Sequence, residues 1–132
     1  LIGIGKTKPV LDGDTVVGVD GITIDTTSGV RVQNFIVQNF ASDGIFLNNS
    51  NSNMIKGNIV NGNGDEGIEL ENSDGNLIKE NTTNGNVNEG IDLGNSNKNI
   101  IKGNTVNGNG EEGIELDDSD SNLIKNNTTN EC

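Results

Sequence analysis

The chain lacks several residue types on which protein chemistry commonly depends. It contains no histidine, no tryptophan and no tyrosine, and only one cysteine, Cys132. Without histidine, a serine nucleophile has no base of the usual kind, so a Ser-His-Asp triad is excluded. A single cysteine cannot form an internal disulfide, and the sequence does not indicate what Cys132 does. The missing tryptophan and tyrosine remove the rings that would stack on a sugar.

Positive charge and apolar residues are scarce as well. The chain contains eight Lys and Arg but 20 Asp and Glu, which gives a formal net charge of −12. We therefore expect no nucleic-acid partner, because phosphate binding needs a basic surface. No apolar run approaches the ~18 residues of a membrane-spanning helix, so no membrane insertion is expected. Hydrophobic residues make up only 30% of the chain, so their spacing must decide between order and disorder.

What the chain has in abundance is repetition. The unit "GIELENSDGNLIKENTTNGNVNE" is followed directly by "GIDLGNSNKNIIKGNTVNGNGEE", and the period is 23 residues throughout. Residues 1–20 form an irregular lead-in. The repeat predicts a single domain over residues 1–132, whose regular part, residues 21–132, consists of stacked coils. The coils begin at Gly21, Gly44, Gly67, Gly90 and Gly113.

Each unit contains three short alternations of apolar residues, separated by Gly and Asn. Such alternation is typical of short strands joined by tight turns, and Gly and Asn oppose a helix. Stacked units would pair each strand in parallel with its copy one coil away, at ~4.8 Å. The predicted core columns are Ile22, Ile45, Ile68, Ile91 and Ile114; Ile24, Leu47, Leu70, Leu93 and Leu116; and Val32, Ile55, Ile78, Ile101 and Ile124.

The pattern "GI-x-L … S-x-x-N-x-I-x-x-N-x-x-x-N" resembles the right-handed parallel β-helix repeat. That superfamily includes pectate lyases, polygalacturonases, alginate epimerases and the periplasmic copper-maturation factors of nitrous oxide reductase. The chain is most similar to the regular, Asn-rich repeats of the last group and of prokaryotic surface proteins. The resemblance covers residues 21–132 and implies an all-β fold, a right-handed parallel β-helix (solenoid) with 23-residue coils and three short parallel sheets. Because the repeat is a scaffold motif, it implies little about function.

Stacking also turns polar positions into columns. Side-chain amides stacked in this way hydrogen-bond along the axis, and Asn favours turns, so an asparagine ladder is predicted. A serine column at a bend is predicted to cap the turn. The asparagine columns are Asn53, Asn76, Asn99 and Asn122; Asn58, Asn81, Asn104 and Asn127; and Asn61, Asn84, Asn107 and Asn130. The serine column is Ser50, Ser73, Ser96 and Ser119.

Charged residues form columns in the same way. Like charges at the coil spacing repel by ~1 kcal/mol per pair in bulk water, so an acidic column is either a solvated face or holds a counterion. Ca²⁺ binds several carboxylate oxygens, which makes Glu66, Glu89 and Glu112 its candidate ligands. No other metal or cofactor is expected. The basic column is Lys56, Lys79, Lys102 and Lys125, and the acidic ones are Asp43, Glu66, Glu89 and Glu112, and Glu69, Asp92 and Glu115.

The sequence argues against catalysis. In the lyases and hydrolases that the repeat resembles, the polysaccharide groove runs along the first sheet, which implies that Glu69, Asp92 and Glu115 would lie there. Neither His nor Tyr accompanies them, and the only arginine, Arg31, lies on a different strand. The coils are also nearly identical, whereas an active site requires one coil to differ from its neighbours. We therefore predict that the protein is not an enzyme.

One apolar column precedes the inward isoleucines of the second strand. Strand alternation would turn it outward as an exposed contact stripe, whereas a bend would tuck it inside, and the sequence leaves both alternatives open. The stripe residues are Met54, Leu77, Ile100 and Leu123.

These observations lead to a functional prediction with one main alternative. Neither end of the solenoid shows a polar cap, which fits either a fragment of a longer chain or copies that stack end to end. We expect self-association end to end, and the stripe is a candidate for lateral contacts. The leading prediction is a non-catalytic structural element, extracellular or at the cell surface, that assembles into a filament or surface layer. The alternative is a carbohydrate-binding or polysaccharide-processing β-helix module with a polysaccharide partner. A calcium-stabilised spacer is a third hypothesis.

Overall fold

The computed structural model describes residues 1–14 and 17–131, and Cys132 lies outside the described residues. Within those ranges the regular structure consists entirely of strands three or four residues long. The described part of the chain contains no helix of the length and hydropathy needed to cross a bilayer.

Three parallel sheets run the length of the solenoid, and each coil contributes one strand to each sheet. The strands of the first sheet are β2 (Ile22–Asp25), β5 (Ile45–Asn48), β8 (Ile68–Glu71), β11 (Ile91–Gly94) and β14 (Ile114–Asp117). Those of the second sheet are β3 (Arg31–Gln33), β6 (Met54–Lys56), β9 (Leu77–Lys79), β12 (Ile100–Lys102) and β15 (Leu123–Lys125). Those of the third sheet are β1 (Val10–Asp12), β4 (Ile36–Gln38), β7 (Ile59–Asn61), β10 (Thr82–Asn84), β13 (Thr105–Asn107) and β16 (Thr128–Asn130).

The pairing register follows the sequence repeat. In the first sheet Ile68 lies opposite Ile91, and in the second sheet Ile78 lies opposite Ile101. The lead-in supplies β1 of the third sheet and a single bridge from Ile2 to Gln33 of the second sheet. The predicted fold class, an all-β parallel β-helix with 23-residue coils and three sheets, is therefore confirmed.

The predicted columns form the core of the inner coils. Ile45, Leu47, Ile55, Ile68 and their copies up to Ile101 are fully buried, and the third sheet adds Val37, Val60, Thr83 and Val106. Alternation explains this, because the first and third residues of each first-sheet strand, and the middle residue of the other strands, point inward. The prediction fails for the last members, since Ile114 is only partly buried and Leu116 and Ile124 are 38% and 43% exposed, because no further coil of the described chain stacks on them.

The glycine that begins each coil is required by close packing. A Cβ atom at Gly90 would lie 2.3 Å from Cγ1 of Val106 and 2.8 Å from the carbonyl oxygen of Gly113. Gly67 and Gly44 are enclosed in the same way. Because any side chain here would separate neighbouring coils, the glycine recurs once per period.

Buried asparagines satisfy the backbone of the turns. The Asn58 N–H donates to Oδ1 of Asn81 over 3.0 Å, and Nδ2 of Asn81 donates to the Ile55 carbonyl over 2.9 Å. The serine column caps its turn as predicted, since the Ser50 N–H donates to Oγ of Ser73. These bonds replace the ladder bonds that a turn cannot make.

One asparagine column was missed. The predicted column through Asn61 and Asn84 does hydrogen-bond along the axis, over 2.9 Å, but it lies on the outer face of the third sheet and is only partly buried. The third buried ladder instead occupies the turn after that strand. Its members are Asn63, Asn86 and Asn109.

Candidate functional site: an acidic ridge along the first sheet

A ridge of carboxylates follows the solenoid axis where the turn after the third sheet enters the first sheet. One row comes from the residue before the coil glycine, and the other from the second residue of β8, β11 and β14, which alternation turns outward. We call this set the acidic ridge: Asp43, Glu66, Glu69, Glu89, Asp92, Glu112 and Glu115.

The first cluster of the ridge consists of Asp43, Glu66 and Glu69, whose carboxylate oxygens lie within 4.8 Å of one another. Asp43 is 4% exposed, and its Oδ1 accepts a hydrogen bond from the Glu66 N–H over 3.2 Å. Burial, followed by hydrogen bonding to the Glu66 and Glu69 carboxyls, raises the pKa of Asp43 to about 10. Asp43 therefore carries a proton at neutral pH.

Glu66 behaves in the opposite way. Burial disfavours its ionised form, but hydrogen bonds from the Asp43 carboxyl, its own N–H and Asn88 outweigh burial and lower its pKa. Burial raises the pKa of Glu69, while its hydrogen bond with Asp43 acts against that shift. The cluster thus places a protonated carboxyl, Asp43, directly against an ionised one, Glu66.

The second cluster repeats this arrangement two coils further on. Glu89, Glu112 and Glu115 have carboxylate oxygens within 4.8 Å of one another, and Glu89 is 6% exposed. Burial raises the pKa of Glu89 to about 8, and the carboxyls of Glu115 and Glu66 contribute in the same direction. Because Glu66 also hydrogen-bonds Glu89, the two clusters form one continuous row.

Asp92 lies between the two clusters, opposite Glu69 on one side and Glu115 on the other. Burial raises its pKa to about 7, and repulsion from Glu115 and Glu69 adds to the shift. Its Oδ1 is buried and accepts no hydrogen bond within the described part of the chain. At neutral pH this carboxyl exchanges readily between its two protonation states.

Protonation rather than ion pairing relieves the charge of the ridge. Among the described residues, the ion pairs join Glu80 to Lys56 and Lys79, which belong to the second sheet. The sequence identified the acidic columns but not their burial. The signal for it is the run of like charges at the coil spacing, whose repulsion is relieved when some of the carboxyls are neutral.

The predicted calcium ligands all belong to the ridge. Glu66 lies in the first cluster, and Glu89 and Glu112 lie in the second. The structure therefore adds Asp43 and Glu69 to Glu66, and Glu115 to the pair Glu89 and Glu112, as carboxylates that the sequence did not assign to calcium. Calcium binding itself stays a prediction.

The predicted contact stripe lies on the outer face of the second sheet. Met54 and Leu77 are half-buried, whereas Ile100 is 39% and Leu123 is 51% exposed. Of the two alternatives for this column, the structure shows the outward one. Its role in contacts stays a prediction.

Two solved structures with a similar fold are epimerases named for alginate and mannuronan. The periplasmic alginate epimerase AlgG, as its T265N mutant, has a TM-score of 0.70 and 20% sequence identity, over 83% of this chain and 36% of that chain. The A-module of the mannuronan C-5 epimerase AlgE4 from Azotobacter vinelandii has a TM-score of 0.75 and 17% identity, over 96% of this chain and 35% of that chain. The chain thus spans about a third of the length of these structures. No curated protein sequence matches it.

These neighbours correct the prediction that the protein is not an enzyme. That prediction is wrong, because both neighbours are enzymes built on this scaffold. The sequence argument took the missing His and Tyr and the near-identity of the coils as sufficient grounds for exclusion, whereas the neighbours show that a scaffold of this kind carries enzymes. Stacking buries carboxyls enough to change their pKa values, and the ridge already differs between coils, with Asp43 and Asp92 among glutamates.

A sequence family described as periplasmic copper-binding protein (NosD) matches residues 5–132. Its periplasmic character confirms the expected location outside the cytoplasm. Together with the epimerase neighbours it favours the polysaccharide alternative over the self-assembling element, and self-association stays a prediction.

Copper itself does not fit the residues of the ridge. Copper favours imidazole, thiolate and thioether ligands, whereas the clusters offer carboxylate oxygens, which suit Ca²⁺, Mg²⁺ and Mn²⁺. The chain has no histidine, and Met54, its only methionine, lies on the second sheet. The family assignment rests instead on the extent of the match and on the shared fold. Since that match spans nearly the whole chain, the protein belongs to the NosD family.

Proposed function

We propose that this chain is a polysaccharide-processing β-helix module that works outside the cytoplasm, and that the acidic ridge binds the glycan and transfers protons. The observation that carries the proposal is the cluster of Asp43, Glu66 and Glu69, whose carboxylate oxygens lie within 4.8 Å of one another and in which the pKa of Asp43 is raised and that of Glu66 lowered. Carboxyls whose pKa values are driven apart can serve as a general acid and a general base in one site. The structural neighbours, an alginate epimerase and a mannuronan C-5 epimerase, favour an acidic polysaccharide as the substrate class.

The chemistry follows from the protonation states. An ionised carboxylate such as Glu66 accepts the proton from the carbon next to the sugar carboxylate, while a carboxyl in its protonated form, such as Glu89 or the protonated fraction of Asp92, donates a proton back to the same carbon. General acid–base catalysis is most effective when the pKa lies near the working pH, and the pKa values of Asp92, about 7, and Glu89, about 8, meet that condition. The neutral carboxyls also reduce the repulsion that an acidic glycan would meet.

Hydrogen exchange on the sugar tests this function. The protein is incubated with mannuronan or polygalacturonate in D₂O, and deuterium at the carbon next to the sugar carboxylate is followed by NMR. We expect incorporation that is fastest near neutral pH and is lost in Glu66→Gln and Asp92→Asn. The matched control is Asp74→Asn, which alters an exposed turn carboxylate whose Oδ1 accepts from the Asn97 N–H, a bond that asparagine retains. Absence of exchange and cleavage with every glycan, or full activity in both ridge variants, would contradict the proposal.

A divalent cation is a second candidate for the ridge. The two three-carboxylate clusters and the unpartnered Oδ1 of Asp92 favour it, since Ca²⁺ binds several oxygen ligands. Binding to the folded state alone stabilises it by ~2.7 kcal/mol at a hundredfold excess over Kd. We expect the melting temperature to rise with Ca²⁺ relative to EDTA, more at pH 8 than at pH 5, because protons compete for the same oxygens. Equal melting temperatures in Ca²⁺ and EDTA at pH 8 would exclude this candidate.

A further inference from the structure

The charges of this acidic protein are segregated between its faces. Five of its eight cationic residues lie on the three-residue strands of the second sheet, and those strands contain no Asp or Glu. The net charge of −12 therefore coexists with one basic sheet. The five residues are Arg31, Lys56, Lys79, Lys102 and Lys125.

The lysines and the apolar stripe form two adjacent rows on that sheet. In Leu77–Lys79, for example, Ile78 points into the core and both of its neighbours point outward. The rows therefore lie ~6.6 Å apart, and each row repeats every ~4.8 Å along the axis. We call this surface the basic-apolar face: Met54, Leu77, Ile100 and Leu123 with Lys56, Lys79, Lys102 and Lys125.

The ammonium groups on this face differ in how much they are neutralised. Glu80 lies 3.6 Å from Nζ of Lys56 and 3.1 Å from Nζ of Lys79. Lys102 and Lys125 are exposed and take part in no ion pair within the described ranges. Two positive charges of the row are thus available to a ligand, and two more are shared with a single carboxylate.

A shallow depression borders the apolar row. It has a volume of about 300 Å³, and its lining includes Gly29, Ser52 and Gly75 of successive turns together with Met54 and Leu77. Because these residues come from three consecutive coils, the depression extends along the solenoid axis. An elongated ligand would lie along the axis, parallel to both rows.

We propose that the basic-apolar face binds an acidic polysaccharide chain extended along the solenoid axis. The carboxylates of such a chain recur at regular intervals and complement the lysine row, while the C–H faces of its sugar rings pack on the apolar row. The acidic ridge of a second copy matches less well. Its charges repeat at the same spacing, but its second row is Glu69, Asp92 and Glu115 and offers no apolar partner.

This surface is separate from the proposed proton-transfer site. The lysines belong to the second sheet and the ridge to the first sheet and the turn before it. The face would anchor the protein to an acidic glycan whether or not the ridge is active. Binding can therefore be present when turnover is absent, which separates failure of this inference from failure of the proposed function.

Binding of sodium oligouronates, long enough to span four coils, tests the inference. Calorimetry in EDTA at low salt excludes cation bridging, and neutral dextran serves as the comparison ligand. Exposed ion pairs contribute about threefold each, so the double variant Lys102→Gln, Lys125→Gln should weaken binding about tenfold. Glu80→Gln should strengthen it about threefold, because it releases Lys56 and Lys79. The control variant carries Asn61→Asp and Asn107→Asp and has the same net charge as the double lysine variant. It should bind oligouronates at least threefold more tightly than the lysine variant does.

The outcomes are distinct. Weaker binding in the lysine variant and stronger binding in Glu80→Gln, with unchanged melting temperatures, support the proposal. Failure of the wild-type protein to bind oligouronates overturns it, as does equal affinity of the lysine variant and the charge-matched control. A dimer in sedimentation that the lysine substitutions dissociate, without oligouronate binding, would show that a second copy occupies the face and would also overturn it.

Discussion

At the scale of single residues, buried Asn81 and Asp43 avoid the cost of burial in two ways, by hydrogen bonding to the backbone and by staying uncharged. Asn81 is 1% exposed and replaces backbone partners that the turn between the second and third sheets cannot supply. Asp43 is equally enclosed but stays neutral by retaining its proton. The same principle governs both cases, because a buried polar group is tolerated when it is hydrogen-bonded and uncharged.

Replacement of Asn81 tests the role of the buried ladder. Asn81→Ala leaves the buried Asn58 N–H without its partner, at ~1–3 kcal/mol, and removes one of the donors to the Ile55 carbonyl, at ~1 kcal/mol, so we expect a loss of ~3 kcal/mol in unfolding free energy. The control is Asn84→Ala on the outer face of the same coil, where water can replace the lost bond. Urea denaturation measures both variants, and equal losses would contradict the assignment.

At the scale of the elements, the sequence predicts the strands and their register because each column is visible in the repeat. The inward positions of Ile68, Leu70 and Ile78 follow from alternation alone. The buried column through Asn86 was not predicted, because asparagine also occupies the outer position at Asn84 and the turn geometry decides which one is enclosed. The protonation of Asp43 could not be predicted either, because it depends on side-chain packing across two coils.

Glycine substitutions test how tightly the elements pack. Gly90→Ala would force a Cβ against Val106 and the Gly113 carbonyl, so we expect a loss of ~3 kcal/mol from overpacking. Gly108→Asn should be nearly neutral, because no atom lies within 4 Å of a Cβ there and Asn39 adopts the same positive φ at the equivalent position. Thermal unfolding of the two variants measures the difference, and a destabilised Gly108→Asn with an unaffected Gly90→Ala would refute this packing account.

At the scale of the whole molecule, acidic and basic residues lie on different faces of the solenoid. Its first sheet and the adjoining turn carry the acidic ridge, and its second sheet carries the lysine row. The fold and the charge columns could be predicted from the sequence, whereas the prediction that the protein is not an enzyme was wrong. Parallel stacking buries carboxyls and places them against one another. It thereby shifts their pKa values, which would be ordinary in an exposed loop.

The ridge makes stability depend on pH. Asp92, Glu89 and Asp43 have folded-state pKa values raised to about 7, 8 and 10. Their contribution is complete below the unfolded pKa near 4 and decreases as pH rises toward those values, by up to ~1.4 kcal/mol per pH unit for each group. The lowered pKa of Glu66 acts oppositely, but only at acidic pH. We therefore expect a lower melting temperature at pH 8 than at pH 5 and a smaller difference in Asp43→Asn; a melting temperature that rises over this range would contradict the shifts.

The central claim is that protonated and ionised carboxyls lie side by side on the ridge at neutral pH. Carbon-13 NMR of the side-chain carboxyls, followed from pH 3 to pH 11 and assigned through Asp43→Asn, Glu66→Gln, Glu89→Gln and Asp92→Asn, measures this directly. We expect titration midpoints at pH values of about 7 for Asp92, about 8 for Glu89 and about 10 for Asp43, with the pKa of Glu66 below its ordinary value. Titration of all four carboxyls in the ordinary range of ~3.5–4.5 would contradict it.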